Sequence, residues 1–352
     1  MLGSVRVARA YYHCAECHRG HGPRDTTLGA VGTDLSPGTV ELVALAGTRS
    51  RCAEAAQKTL PKLAGLAVGE STAERTTERV GADLGARLGE GRTFGTSKAW
   101  DGSEDAEGQT VAYISADLTG VGMQGPNGGA TEGRMAAVGM IWNAGNEGPV
   151  RYVCGLTGGL SVLGQPLRNP GAQVGMDQAA RGVAISDGGS GIEDWLRENF
   201  PRVEAVILDF YRAAQHLCEW AKVRHPEDEA TAARVAYPWC HRLKHEGGPA
   251  VHAARRGVDV SGRRAPLREA HRELLVYFDN QVHRMDDPSY RAKGWLIGSG
   301  PVEAACKQVV GQRLKGTGMR GGEAGADAVC HLRALFRSEK GQWDDYWRSQ
   351  AA

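Results

Sequence analysis

Four carboxylates stand where apolar runs end or where a helix restarts. Asp117 follows Thr110-Val-Ala-Tyr-Ile-Ser-Ala, Asp187 follows Ala184-Ile-Ser, and Asp209 follows Val203-Glu-Ala-Val-Ile-Leu. Glu303 comes two residues after Pro301 in Gly298-Ser-Gly-Pro-Val-Glu. A carboxylate at the end of a buried strand is costly unless it faces a metal or a hydrogen-bond partner. Hard divalent cations take oxygen ligands of this kind, so the four residues point to an acidic metal site assembled from distant segments. Three of them also have a plainer reading. Asp117 can begin a turn with Thr119-Gly120, Asp187 can cap the helix after it, and Glu303 can complement a helix dipole.

The elements needed to position these groups follow from periodicity. Residues 184–209 read as strand, helix and strand: a Gly-rich turn follows Asp187, and Pro201 stops an amphipathic helix before the next apolar run. Asp187 and Asp209 then lie at the carboxyl ends of strands, where ligands gather in open α/β sheets. Upstream, 110–118, 134–142 and 151–156 read as three strands, with a hairpin loop at 125–133 and a helical or irregular stretch at 157–181. From 213 to 295 the pattern is helical and too long for a simple crossover, which predicts an all-α insertion. Gly298-Ser-Gly-Pro then restarts a helix, with Ser299 as its N-cap and Pro301 in the first turn.

The N-terminal part is different. Residues 36–91 are helical: Ser36-Pro37 opens one helix, Pro61 breaks or kinks a second, and Ser71-Thr-Ala-Glu74 signals a capping box for a third. This stretch reads either as a helix-turn-helix or as a plain helical hairpin. Residues 92–109 read as a linker. Trp195, Trp220, Trp239 and Trp295 sit at helical positions and are expected in the core.

Composition bounds the rest. In 352 residues the formal net charge is +1, which by itself argues neither for nor against a polyanionic partner. No segment approaches a membrane span, and there is no apolar signal core. The chain therefore reads as soluble and cytoplasmic. Its 8 cysteines are mostly single and are expected to be reduced. Cys14-X-X-Cys17, with His13, His18 and His21 nearby, is half of a zinc-ribbon pattern and alone a weak zinc signal.

Across essentially its whole length the chain resembles bacterial insertion-sequence transposases of the ISKra group, which are akin to the Mutator-type DDE enzymes. The likeness runs through Arg9-Ala-Tyr-Tyr-His-Cys-Ala-Glu-Cys, residues 93–100, Ser115-Ala-Asp-Leu-Thr-Gly and Ile185-Ser-Asp-Gly-Gly-Ser-Gly. It continues through Leu208-Asp-Phe-Tyr, Trp239-Cys-His-Arg-Leu-Lys, Gly318-Met-Arg and Leu332-Arg-Ala-Leu. Its most specific block is Gly298-Ser-Gly-Pro-Val-Glu-Ala-Ala-Cys-Lys.

The resemblance implies an α/β fold: an RNase H-like mixed sheet interrupted by an all-α insertion and preceded by a small helix-turn-helix-like region. Its parts would be a half zinc-ribbon (1–35), a helical DNA-binding region (36–91), a linker (92–109), the first part of the core (110–212), the insertion (213–295) and the core's completion (296–340). Asp117, Asp187 and Glu303 would be the catalytic carboxylates, holding two Mg²⁺ or Mn²⁺ ions for DNA cleavage and strand transfer. Partners would be the element's terminal inverted repeats, target DNA and further copies of the chain, in the bacterial cytoplasm at the nucleoid. Lys307, Arg313, Lys315 and Arg320, with Arg333 and Arg337 beyond, would neutralise phosphates.

The chain also departs from the pattern. Asp209 matches the first residue of the family's Asp-X-X-His element, which favours Asp187 over it as the second catalytic carboxylate, but Arg212 occupies the His position. His216, one turn on, is the nearest substitute. The second cysteine pair of the ribbon is missing, so a truncated copy is expected, and Zn²⁺ at Cys14 and Cys17 is the weaker cofactor expectation. The rival functions are a non-catalytic DNA-binding derivative and an RNase H-like nuclease.

Overall fold

The structure is a computed structural model that describes the chain apart from residues 1–7, 9, 26, 29–34, 126–128, 130, 131, 145–148, 317–320 and 352. Arg320, the Gly318-Met-Arg block and the interior of the 125–133 loop therefore lie outside the described residues.

The long apolar runs become a mixed sheet. Strands β4 (Thr110–Met123), β5 (Glu132–Trp142) and β6 (Val150–Gly155) are antiparallel, and β7 (Arg181–Ser186) and β8 (Val203–Leu208) continue the sheet in parallel. The order is β6-β5-β4-β7-β8, and the short strand β3 (Ser103–Glu104) pairs with the start of β4. A two-stranded hairpin of β1 (Tyr12–His13) and β2 (Gly20–His21) stands apart from it.

Both faces of the sheet are covered, which explains why β4 reads as a nearly continuous apolar run. Ile114, Ala116, Ala184 and Val206 face α5 (Gly164–Gln173) and α6 (Ile192–Asn199). Tyr113, Val183, Ile185 and Ile207 face the opposite way. They pack with α11 (Gly300–Ala305), the π-helical turn Cys306–Gly311, α12 (Gln312–Leu314) and α13 (Glu323–Arg337).

No strand interrupts residues 213–295. This stretch holds most of α7 (Phe210–Arg224), then α8 (Glu229–Arg256), α9 (Ala265–Gln281), a 3₁₀ turn Val282–Arg284 and α10 (Asp287–Ala292), around a core of their own. Trp220 lies in that core and Trp239 packs partly against it, while Trp195 and Trp295 are buried against the sheet. No helix among the described residues is long and apolar enough to cross a membrane.

The N-terminal helices have a small core of their own, around Val43, Ala55, Leu60 and Ala73, and share a second one with the C-terminal helices. In α1 (Pro37–Arg49) the Ser36 side chain accepts from the Thr39 N–H, as its sequence leads one to expect. The second helix, α2 (Cys52–Glu54), passes through a π turn, Ala55–Thr59, into α3 (Leu60–Ala64), so the break falls before Pro61. The expected capping box is not made. Helix α4 (Glu70–Gly89) starts earlier, with Gly69 rather than Ser71 at its N-cap and no side-chain cap. Val40, Ala44, Val80 and Leu84 share one core with Leu332 and Leu335 of α13 and with Tyr346 of α14 (Gln342–Ala351).

The 92–109 segment is packed rather than a loose linker. Phe94 is buried, the Trp100 indole donates to Glu339 (2.8 Å), and the buried Arg151 donates to the Thr96 carbonyl (3.0 Å).

Candidate functional site

Strand register brings three of the carboxylates to one level. Ser115 of β4 pairs in parallel with Ile185 of β7, so Asp117 and Asp187 each lie two residues beyond the same rung. Ser186 pairs with Leu208 of β8, so Asp187 and Asp209 are the next residues on neighbouring strands. Side chains alternate along a strand. All three aspartates therefore share the face of Tyr113, Ile185 and Ile207, which is the face that α11 covers. Glu303 lies in the first turn of α11.

Each carboxylate is held differently. Asp117 is half-buried; its Oδ1 accepts from the Leu118 N–H (2.7 Å) and its Oδ2 from the Cys306 thiol (3.3 Å). Asp187 accepts from the Gly189 N–H through Oδ1 (2.9 Å). Glu303 is exposed.

Their charges act on one another. Burial pushes the Asp117 carboxyl up and the charge of Asp187 pushes it further, against the thiol and amide donors and Arg212. Burial also raises Glu303, followed by the charges of Asp209, Asp117 and Asp187, and Arg212 opposes them. Like charges gathered with little compensation are the electrostatic setting a divalent cation relieves.

Asp209 has another role. It is 1% exposed, its Oδ1 caps α7 through the Tyr211 N–H (2.8 Å), and its Oδ2 accepts from the Ser299 hydroxyl. Its own N–H donates to the Ser186 carbonyl (2.8 Å). With both oxygens engaged, Asp209 fastens the start of the Glu303 helix to the end of the sheet. The expected capping of that helix by the Ser299 side chain is thus replaced, because the hydroxyl turns to Asp209. Next to it, a Cβ on Gly298 would stand 2.8 Å from the exposed Tyr211 ring, so a side chain here would require that ring to move.

Arg212 is exposed on the first turn of α7, and the pull of its charge on Asp117 and Glu303 puts it beside them. His216 does not take its place. Its ring lies on Tyr277 (centroids 3.8 Å apart), burial lowers its pKa, and no carboxylate shift traces to it.

The expected phosphate-binding residues divide. Lys307 is exposed, and Lys315 donates to Thr119 Oγ1 (2.6 Å), two residues beyond Asp117 on β4. Arg313, expected at phosphates, is instead 9% exposed and donates to the Gly47 carbonyl at the end of α1 (2.8 Å). Arg333 is 1% exposed, with donor bonds to the carbonyls of Val309, Thr48 and Gln308. Both are ties between the N-terminal helices and α11–α13, because a buried guanidinium must spend its donors on internal acceptors. Arg337 donates to Gln312 (2.6 Å).

Several residues at the site carried no sequence signal. Cys306 reads as an ordinary core cysteine, and Tyr277, Gln281, Arg284 and Asp287 are scattered through a helical stretch. The Tyr277 hydroxyl is buried without a hydrogen-bond partner and lies in the fields of Asp187, Asp209, Arg212 and Arg284. Asp287 is 1% exposed, and its carboxyl is pushed up to about 7 by burial first and then by Asp286, with Asp209 contributing. Only the spacing of Cys306 from Glu303, one turn along a helix, could have pointed to any of them.

Cys14 and Cys17 lie far along the chain from these groups, on the turn between β1 and β2. The Cys17 N–H donates to Cys14 Sγ (3.5 Å), which with the neighbouring backbone N–H groups lowers the Cys14 pKa. His18 bends the turn with a φ of 52°. Among the described residues, no group of three or more His, Cys, Asp or Glu side chains is arranged to hold a metal ion, either here or at the carboxylates.

Compared with models of known protein families the chain matches none, and no curated protein matches it.

Proposed function

We propose that the chain is a DDE transposase, with an RNase H-like core, that cleaves DNA at the ends of an insertion sequence and joins them to a target. The observation that carries the reading is the shared level and face of Asp117 and Asp187 on adjacent parallel strands, with Glu303 presented from the helix packed on that face. Three antiparallel strands followed by two parallel ones, and an all-helical stretch between β8 and the Glu303 helix, support the same reading.

The donor set is of the kind hard divalent cations take: all-oxygen ligands, with Asp117 and Glu303 raised by burial and by neighbouring carboxylate charges and Arg212 the cation that acts on both. Asp117, Asp187 and Glu303 would hold two Mg²⁺ or Mn²⁺ ions, which supply Lewis-acid activation of the attacking oxygen and charge neutralisation at the scissile phosphate.

The chain's own residues do the rest. Asp209 and Ser299 hold the Glu303 helix to the sheet, and Cys306 orients Asp117 through Oδ2. Arg212, Lys307 and Lys315 offer cationic donors to a phosphate backbone beside the carboxylates. The exposed faces of α3 and α4 are where a helix-turn-helix would meet the element ends, and a homodimer on DNA would bring two ends together.

The test is a cleavage assay on duplexes carrying the inverted repeats that flank the gene. Asp187→Asn should abolish cutting, a loss on the order of a thousandfold or more, while gel-shift affinity at fixed salt stays near wild type. Normal cutting by Asp187→Asn would sink the assignment.

One observation favours a second reading, a DNA-binding derivative that no longer cuts. Arg212 is a fixed positive charge where the resembling family has a His, and it already offsets the carboxylates. Binding without cleavage by the unmutated chain, with cleavage appearing in Arg212→His, would select that reading.

A further inference from the structure

Asp187 sits on a loop where its own side chain accepts one bond, from the Gly189 N–H to its Oδ1, and the Gly189 carbonyl accepts from the Ile192 N–H (3.3 Å). The residues on either side of it are held by the helical insertion. Arg284, in the 3₁₀ turn after α9, is 2% exposed. Its Nη2 donates to the Ser186 hydroxyl, immediately before Asp187, and its Nε donates to the Val206 carbonyl of β8 (3.2 Å). Its Nη1 donates to Gln281 Oε1 (3.0 Å), and Gln281 Nε2 donates to the Gly188 carbonyl (3.3 Å), immediately after Asp187.

Gly188 completes the fit: at φ 85°, a Cβ there would stand 2.7 Å from Leu208 Cδ1 and 3.4 Å from the Gln281 amide carbon. The nearest carboxylate partner of Arg284, Glu193, stands 3.6 Å from its Nε.

We propose that Arg284 and Gln281 are positioning residues for Asp187, so that the insertion aims the second carboxylate of the site rather than merely packing beside it. The physical argument is one of cost. An apolar residue would dock the insertion on the sheet without desolvating a guanidinium, and buried ion pairs are often no better than apolar replacements. A guanidinium offers instead a rigid fork of several donors. Here the fork spans the end of β7, the body of β8 and the amide that holds Gly188. A ligand carboxylate must be kept within about 0.5 Å of its working place, and the groups around it do that.

The inference rests on the proposed role of Asp187, and the test separates the two. Full-length protein carrying Gln281→Leu or Arg284→Lys is compared with wild type and with His283→Ala, an exposed neighbour that bonds only Glu193 among these groups. The Mn²⁺ concentration giving half-maximal cleavage should rise about 10-fold or more in the first two, as losses of groups behind metal ligands do. KM for DNA should stay within about twofold, and excess Mn²⁺ should restore the rate. Amide exchange at Gly188 and Gly189 should be faster in both variants and unchanged in His283→Ala.

If both variants fold and keep the wild-type Mn²⁺ requirement and amide exchange, the positioning role is overturned and the DDE reading stands. If the unmutated chain never cleaves, that reading falls and exchange alone decides. Faster exchange supports the grip on the Asp187 loop, and unchanged exchange refutes it.

Discussion

The Cys14–Cys17 turn and the carboxylate end of the sheet are two opposite ways of collecting donors. The two cysteines are three residues apart, exposed, and brought together by a local backbone turn. The carboxylates come from β4, from the loop after β7 and from α11, and their charges reach one another only because the sheet and α11 are in place. The first arrangement costs little to make and little to lose. The second sets like charges near one another, two of them half-buried, so the fold itself must supply the work against their repulsion. A cluster assembled in this way should be sensitive to substitutions distant in sequence, and the turn should not.

The sharpest way to break the contrast is at Asp209. Asp209→Ala removes the cap of α7 and leaves the buried Ser299 hydroxyl without its acceptor. Loss of a cap and of a buried partner together should cost about 2–4 kcal/mol in urea unfolding. Asp209→Asn keeps an oxygen for the Tyr211 N–H and should cost about 1 kcal/mol. Equal, small losses for both would show that Asp209 does not fasten the two elements.

A middle-sized effect is expected from Asp287. Its carboxyl is raised from 3.8 to about 7, so the folded chain keeps a proton that the unfolded chain releases. The resulting stabilisation is complete below the ordinary Asp value and is lost as pH rises through about 7. This group alone should lower stability by about 2–3 kcal/mol between pH 5 and 8. Asp287→Asn should remove most of that slope, leaving what Asp117 and Glu303 contribute in the same direction. Melts at the two pH values measure it, and an unchanged slope would show that Asp287 is not the group responsible.

The smallest effect belongs to the turn. Cys14→Ser should leave the unfolding midpoint of the chain within about 0.5 kcal/mol of wild type, as exposed substitutions away from the core do. Alkylation below pH 8 should mark Cys14 sooner than the buried Cys154, Cys306 and Cys330, because amide donors lower its pKa, while the Cys330 thiol and then burial raise that of Cys154 and burial raises that of Cys306. A large loss of stability in Cys14→Ser would mean that the turn is tied to the core after all.

Much of the fold was legible because its signals are local. Alternating or continuous apolar runs marked β4 to β8, and Pro201 marked the end of α6. Ser36-Pro37 marked the start of α1, and the helical stretch after Asp209 marked the insertion. Asp117, Asp187 and Glu303 were legible as candidates for the same reason, since each stands at the end of a run or the start of a helix.

What lay beyond the sequence is whatever depends on which element packs on which. Arg313 and Arg333 look like phosphate ligands in a basic segment, yet they are buried ties, because α1 and α4 pack against α11–α13. The 92–109 segment looks like a linker because it is polar, yet Trp100 and Thr96 meet groups from β6 and from the residues after α13. Ser299 looks like a cap, and its hydroxyl serves Asp209 instead. A side chain's type and its neighbours along the chain are properties of the sequence, and they determined the strands, the helices and the set of candidate carboxylates. Whether a guanidinium meets solvent or a carbonyl, and whether two aspartates 70 positions apart (187 − 117) share a rung, depends on register and packing. Those are set by the burial of apolar faces across the whole molecule, and only the tertiary structure decides them.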